Sequence, residues 1–439
     1  MTAAPATAPA GEAEVAALIA ALSSDDWRDR QRAEDRLVVL GAAAEDKLRT
    51  AARAPDANDE VRSRADAALA RIAEAAVTGP TIVSLHLNGA APRDAVAMLG
   101  RAAGVELAPQ PSNLFARRAE PPITIALDHV SFWEAARRVL VPAGLELRQW
   151  NDEYRTGVAS GEARMSGPAV VSGPFLVVAQ RIERSHRAEL RAADLTADGA
   201  PAHAAAALPA MRTTDFSVWF TVFAEPKLRV LRAATNVRLE RAVDENGLSL
   251  IPAAPGPRAG GFSGDGEILA PRAWTASARL DYPSGAGRRI SQLKGALFVT
   301  LRTRTETAEV HDLLNARDVA GTVAGMPFVV RGFKRLGERE YELQMSVQRD
   351  ARAGDDWDRV RRTITASSVR VADADGNLLV RGVPSTNYAA ERVDLAARFT
   401  LPDPGAGQRA AEPATLLWEV PTETKDVLVP FEFADLPIP

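Results

Sequence analysis

Val83–Leu107 reads VSLHLNGAAPRDAVAMLGRAAGVEL, and Ile123–Leu147 reads ITIALDHVSFWEAARRVLVPAGLEL; the two align without a gap at an offset of 40 residues. Leu87 falls on Leu127, Asp94 on Glu134, Ala95 on Ala135, and Ala103-Gly104-Val105-Glu106-Leu107 on Ala143-Gly144-Leu145-Glu146-Leu147. Each copy opens with apolar residues at alternate positions (Val83, Leu85, Leu87; Ile123, Ile125, Leu127), the period of a half-buried strand. Helical spacing follows (Ala95, Val96, Leu99, Ala102; Ala135, Ala136, Val139, Leu140), then a Gly where a helix C-cap is expected, then a second short strand. The reading is β-α-β, twice, with the Pro-rich and Arg-rich segment Pro109–Pro122 as the connection.

Outside this duplication, 439 residues are too many for one core, since a domain takes ~100–200. Net charge is −4, with Arg scattered among acidic residues, so no global field favours nucleic acid. There is no Cys, which excludes disulfides, thiolate metal sites and a Cys nucleophile. No run of ~18 apolar residues is present to span a bilayer as a helix. Residues 1–11 are Ala/Pro/Thr-rich and read as a disordered tether. They lack the basic and apolar regions of a secretory signal. Two readings stay open: a mature chain restarted at a new Met, or a disordered cytoplasmic N-terminus.

Residues 12–78 carry helical periodicity. Val15, Leu18, Ile19 and Leu22 form one stripe, and Ser24-Asp25-Asp26 offers an N-cap for a helix through Leu40 that Gly41 ends. Ala44–Ala54 and Asp59–Ala76 supply two more helices, broken apart by Pro55-Asp56. The Leu37-x-x-Leu40-Gly41 ending and the Val61-Arg62-x-Arg64-Ala65 start resemble HEAT-type α-hairpins. Two hairpins need a neighbour to bury a continuous face, so the segment is either an interaction surface or a helical cap.

Thr81–Trp150 resembles the short N-terminal domain shared by secretins and TonB-dependent receptors. The matching residues are Ala95, Leu99, Gly104, Thr124, Leu127, Val130, Phe132, Glu134, Ala135, Leu140, Gly144 and Leu145. The resemblance implies a periplasmic β-α-β-β-α-β interaction module (81–155) without catalytic residues, and hence a protein partner and an extracytoplasmic location. The chain has neither a secretin pore region nor a receptor barrel, so secretion and siderophore uptake are not implied.

From about Gly167 the pattern turns to short strands with turn signals, which predicts an antiparallel β-sandwich over 168–352. In Phe216–Phe223, Phe216, Val218, Phe220 and Val222 share one face, with Trp219 and Phe223 on the other. Asp244-Glu245-Asn246-Gly247 reads as a hairpin turn. Strands are expected at Thr275–Leu280, Ala296–Thr303, Phe328–Phe333 and Tyr341–Val347. Residues 353–439 read as a second sandwich or as closing strands of the first. They comprise a hairpin (Ser368–Asp373 with Leu378–Arg381) and two further strands (Thr415–Val420, Asp426–Phe433). The fold class is multidomain α+β.

His86, His129, His186, His203 and His311 lack the paired spacing of zinc ligands. Gly260–Gly266 opens no helix, and Asp355-Asp356-Trp357-Asp358 and Asp373-Ala374-Asp375-Gly376-Asn377 lack the spacing of a calcium loop. Glu225-Pro226-Lys227 and Asp244-Glu245 supply carboxylates for an acid/base pair. Trp219, Trp274, Trp357 and Trp418 read either as core residues, the usual role of an isolated Trp in a strand, or as stacking platforms for a glycan. The expectation is an interaction or scaffold protein with no catalytic, metal or cofactor residues assigned; the alternative is a carbohydrate-binding or carbohydrate-active sandwich.

Overall fold

The computed structural model describes residues 12–54, 58–111, 113–116, 121–149, 156–161, 164–189, 211–252, 267–269, 272–349, 357, 361, 364, 368–382, 385–401 and 411–439. The fold is mixed α+β with a β-rich majority and mostly antiparallel sheets. It divides into two compact units at Pro80/Thr81.

The first unit is helical: α1 (Glu12–Ala21), α2 (Trp27–Leu40), α3 (Ala42–Arg53) and α4 (Asp59–Thr78). Asp26 caps α2 by accepting from the Arg28 amide at 2.9 Å, and Asn58 caps α4 by accepting from the Val61 amide at 2.7 Å. Gly41, at φ 58°, ends α2 in a conformation that would strain any residue with a Cβ. Leu22, Leu37, Leu48, Ala65, Ala68 and Ile72 meet in the core. Expected Pro55-Asp56 lies outside the described residues.

The second unit opens with β1 (Ile82–Ala90), α5 (Pro92–Ala103), β2 (Leu107–Pro109), β3 (Ile123–Ser131), α6 (Phe132–Leu140), β4 (Leu145–Gln149) and β5 (Thr156–Ser160). Strands β1 and β3, the first strands of the two sequence copies, pair antiparallel. Their register obeys the duplication. Leu85 faces Leu127 and Leu87 faces Ile125, which the offset of 40 interconverts; Val83–Val130 and Ala90–Ile123 interconvert likewise. His86–Ala126 maps onto itself, so a local two-fold axis passes through that pair. The Gly89 amide donates to Thr124 Oγ1 (2.9 Å) and its counterpart, the His129 amide, donates to Ser84 Oγ (3.1 Å).

The symmetry stops at the second strands, β2 and β4. β5 lies between β2 and β4, parallel to β2 and antiparallel to β4. Thr156–Ser160 is short and built of small residues, and no strand was expected there; it completes the sheet just past the expected boundary at 155. Gly104 ends α5 at φ 66°, whereas the C-cap of α6 is Val141, not the expected Gly144, which stands at φ 60° in the turn that follows.

Next come β6 (Ala169–Ser172), β7 (Phe175–Glu189), β8 (Met211–Ala224), β9 (Val230–Ala234), β10 (Arg238–Asp244), β11 (Glu267–Leu269), β12 (Ala273–Leu280) and β13 (Arg289–Val310). The remaining strands are β14 (Val319–Val323), β15 (Met326–Arg335), β16 (Glu340–Gln348), β17 (Val369–Asp373), β18 (Val380–Arg381), β19 (Ser385–Tyr388), β20 (Arg392–Thr400) and β21 (Pro413–Pro437). They form three sheets: β12-β8-β7-β6; β11-β9-β13-β21-β17, with β10 also on β13; and β14-β15-β16-β20-β18, with β19 on β20.

The middle sheet backs two cores. Leu297, Val299, Leu301, Val429 and Phe431 join Phe216, Val218, Phe220 and Val222 of β8 in one cluster. Ala308, Val310, Leu416 and Trp418 join Phe328, Val330, Tyr341 and Leu343 in the other. From Leu293 to Leu301 the core residues of β13 in the first cluster are odd-numbered, whereas Ala308 and Val310 in the second are even-numbered. The change coincides with register shifts between Arg302 and Thr305, which re-phase both strands. Both cores therefore lie on one face of the long β13–β21 ladder.

The other face of β7–β8 is covered as well. Leu176, Val178 and Phe223 share a third cluster with Trp133, Leu99, Val139 and Leu147 of the duplicated segment. The alternation expected in Phe216–Phe223 is present, with each face assigned to a different core.

Three expectations are corrected. Ser368–Asp373 and Leu378–Arg381 are not a hairpin: β17 pairs β21 and β18 pairs β20, joined only by a bridge at Ala372–Leu378. The two expected C-terminal strands are one continuous β21, and Ala296–Thr303 is the middle of a strand of 22 residues. Asp244–Gly247 does turn, yet Leu248–Ile251 returns with only a bridge at Val243–Ser249.

Candidate interaction surface and buried ionic clusters

The alternation of β1 and β3 sends Val83, Leu85, Leu87, Ile123 and Leu127 inward and leaves Ser84, His86, Thr124, Ala126 and Asp128 exposed. The result is a polar face centred on the local two-fold axis, with His86 Nε2 2.9 Å from Asp128 Oδ1. Among the described strands, β1 and β3 pair only with each other, so each offers an outer edge.

Buried ionic groups lie elsewhere, and each is held by named partners. In the helical unit, Glu34 accepts from Arg64 Nη1 and Arg71 Nη1, both at 3.0 Å. Glu146 is 1% exposed and takes Arg148 Nε (2.8 Å), Arg164 Nε (2.9 Å) and Arg164 Nη2 (2.7 Å). Burial pushes its carboxyl up, but the Arg164 and Arg148 bonds outweigh burial and leave it below the ordinary range. Its duplicate Glu106 is exposed. The repeat alone did not mark Glu146, because Arg164 lies outside the repeated segment.

The carboxylates flagged as an acid/base pair are held in separate networks. Glu225, 1% exposed, accepts from the Thr81 amide and from Thr81 Oγ1 (2.6 Å), with Lys227 Nζ 3.8 Å away. Burial raises its pKa, opposed by the Thr81 bonds and by Lys227; burial likewise lowers that of Lys227. Asp244 accepts from the amides of Gly287 (2.6 Å), Leu248 (2.7 Å) and Asn246 (2.9 Å). These bonds, Gly287 foremost, hold it below the ordinary carboxylate range. Glu245 accepts from the Arg288 amide.

Asp373 Oδ1 accepts from the amides of Asp375 and Asn377, closing a turn with no distal ligand supplied. Among the described residues no group of three or more His, Asp or Glu is gathered around a common point. His86 and His311 are exposed, and His129 sits at φ 53° in the β3 irregularity. The side chain of His186, and His203, Gly260–Gly266, Asp355, Asp356 and Asp358 lie outside the described residues. Of the four tryptophans, Trp274, Trp357 and Trp418 are core residues; Trp274 and Trp357 donate to the carbonyls of Ala234 and Ala390. Trp219 is half-buried beneath the Arg181 guanidinium, 4.7 Å from the ring centre.

No helix among the described residues is long and apolar enough to cross a membrane. No protein-family model, curated protein or solved structure matches this chain.

Proposed function

We propose that this chain is an extracytoplasmic interaction or scaffold protein that binds protein partners through its HEAT-like hairpins and its secretin/TonB short-domain-like module. A β-sandwich region, built on the long β13–β21 ladder, acts as the frame. The observation that carries the reading is the polar, symmetric β1–β3 face with its two outer edges. An extended segment of a partner adds to such an edge through main-chain hydrogen bonds, while alternate side chains give selectivity. The location rests on the family resemblance of Thr81–Trp150 and on the composition of residues 1–11.

The test is capture by the full chain from envelope and soluble extracts, repeated with His86→Glu combined with Ala126→Arg. Both positions are exposed, so the melting temperature should hold while capture of a saturable envelope partner falls. Equal capture by both proteins would remove the β1–β3 face from the reading. The glycan-binding alternative would rest on Trp219 alone of the four tryptophans, and retention of the full chain on a glycan array, lost in Trp219→Ala, would favour it.

A further inference from the structure

Thr81 immediately precedes β1, and both of its backbone groups are held. Its amide and hydroxyl donate to Glu225, and its carbonyl accepts from the Phe132 amide at 2.8 Å, at the start of α6. Glu225 lies just past the end of β8, and its own amide donates to the Pro174 carbonyl (3.0 Å), which also accepts Trp133 Nε1 (2.9 Å). One buried carboxylate thus closes the seam where β1 and α6 meet β8.

That carboxylate is poorly compensated as an anion. Its hydrogen bonds come from Thr81 alone among the described residues, and the cation paired with it is Lys227 at 3.8 Å. Two further cations close in sequence or space, Arg229 and Arg272, each direct an Nη1 atom to the Pro226 carbonyl. A buried charge in this position costs more than its neutral form. The 2.6 Å contact to Thr81 Oγ1 suits either proton direction, because a hydroxyl both donates and accepts. Neutral Glu225 therefore keeps its Thr81 contacts and sheds the desolvation penalty, at the loss of the weaker Lys227 attraction.

We propose that Glu225 is a proton-linked clasp, holding the starts of β1 and α6 against the end of β8 more tightly in mild acid than at neutral pH. The sign follows from linkage: an acid whose pKa is raised in the closed form favours that form as pH falls.

The test is hydrogen exchange of peptides containing Thr81 and Phe132 in the full chain at pH 5 and pH 7, corrected for chemical exchange rates. A peptide from the β15–β16 hairpin serves as control. Wild type should show greater protection of the seam at pH 5 than at pH 7, with the control unchanged. Glu225→Gln should abolish the difference and protect at least as well as wild type at pH 7. Equal or weaker protection at pH 5 in wild type would overturn the proposal, as would a matching change in the control. Retention of the pH dependence by Glu225→Gln would also overturn it. The wild-type comparison decides the matter even if the variant folds poorly.

Discussion

Gly89 and His129 stand 40 residues apart at the same position of the two copies, and both hold left-handed backbone, at φ 60° and 53°. Each donates its amide to a hydroxyl of the opposite strand, Thr124 or Ser84, themselves equivalent. The duplication thus extends to an irregularity in the strand, and only one copy uses glycine there. A left-handed residue with a Cβ costs roughly 1–2 kcal/mol, partly offset by the lower chain entropy of a non-glycine unfolded state. His129→Gly is expected to stabilise the protein by about 0.5–1 kcal/mol, and Gly89→Ala to destabilise it by about as much. Urea midpoints moving in opposite directions would show this; a loss in His129→Gly would refute it.

Gly161 exists for Glu146. A Cβ at Gly161 would lie 2.2 Å from Glu146 Cδ and 2.6 Å from Oε2. Gly161→Ala should push the buried carboxylate off Arg164 and cost roughly 2–4 kcal/mol. Glu146→Ala in the same chain should cancel much of the added loss, because the clash then has no partner. Additive losses in the double variant would dissociate the two residues.

Asp244 makes stability depend on pH in a predictable direction. Its folded pKa is depressed, so its contribution is present above the unfolded pKa and fades as pH falls through the folded value. Asp244→Asn should therefore melt lower than wild type at pH 7, with the gap narrowing in acid. A gap of constant size from pH 7 to pH 3 would assign the effect to shape alone.

Trp133 ties the duplicated segment to the strands behind it. It is buried, 5.8 Å from the Phe223 ring centre, and bonds the Pro174 carbonyl. Trp133→Ala should cost about 3–5 kcal/mol. A fragment of residues 81–161 should lack fixed tertiary packing by near-ultraviolet circular dichroism, because Leu176, Val178 and Phe223 are missing from its core. A cooperative melt of that fragment would make the segment an independent domain.

The alternation and Gly positions of Val83–Leu147 announced the two β-α-β copies, because local periodicity and capping act within a few residues. The pairing of β1 with β3 was not written in either copy, and their superposition alone does not give it; it is the structure that pairs them antiparallel. What stayed hidden is set by distant partners: β5 gains its place from β2 and β4, and Ser368–Arg381 looked like a hairpin until β21 and β20 claimed its two strands. Glu225 was visible as a charged interruption of a strand run, but its partner Thr81 lies 144 positions away. Trp274, Trp357 and Trp418 offered no sequence cue separating a platform from a core residue.

The β13–β21 ladder also sets the order in which the molecule matures. Arg289–Val310 is synthesised more than a hundred residues before its partner Pro413–Pro437, yet both cores need that partner beside it. During synthesis the nascent chain must carry the apolar faces of β8, β13 and β16 unsealed until β21 has emerged. Long-range closure of this kind is slow and exposes strand edges to association. A stalled or truncated chain ending before Pro413 would leave two cores open at once.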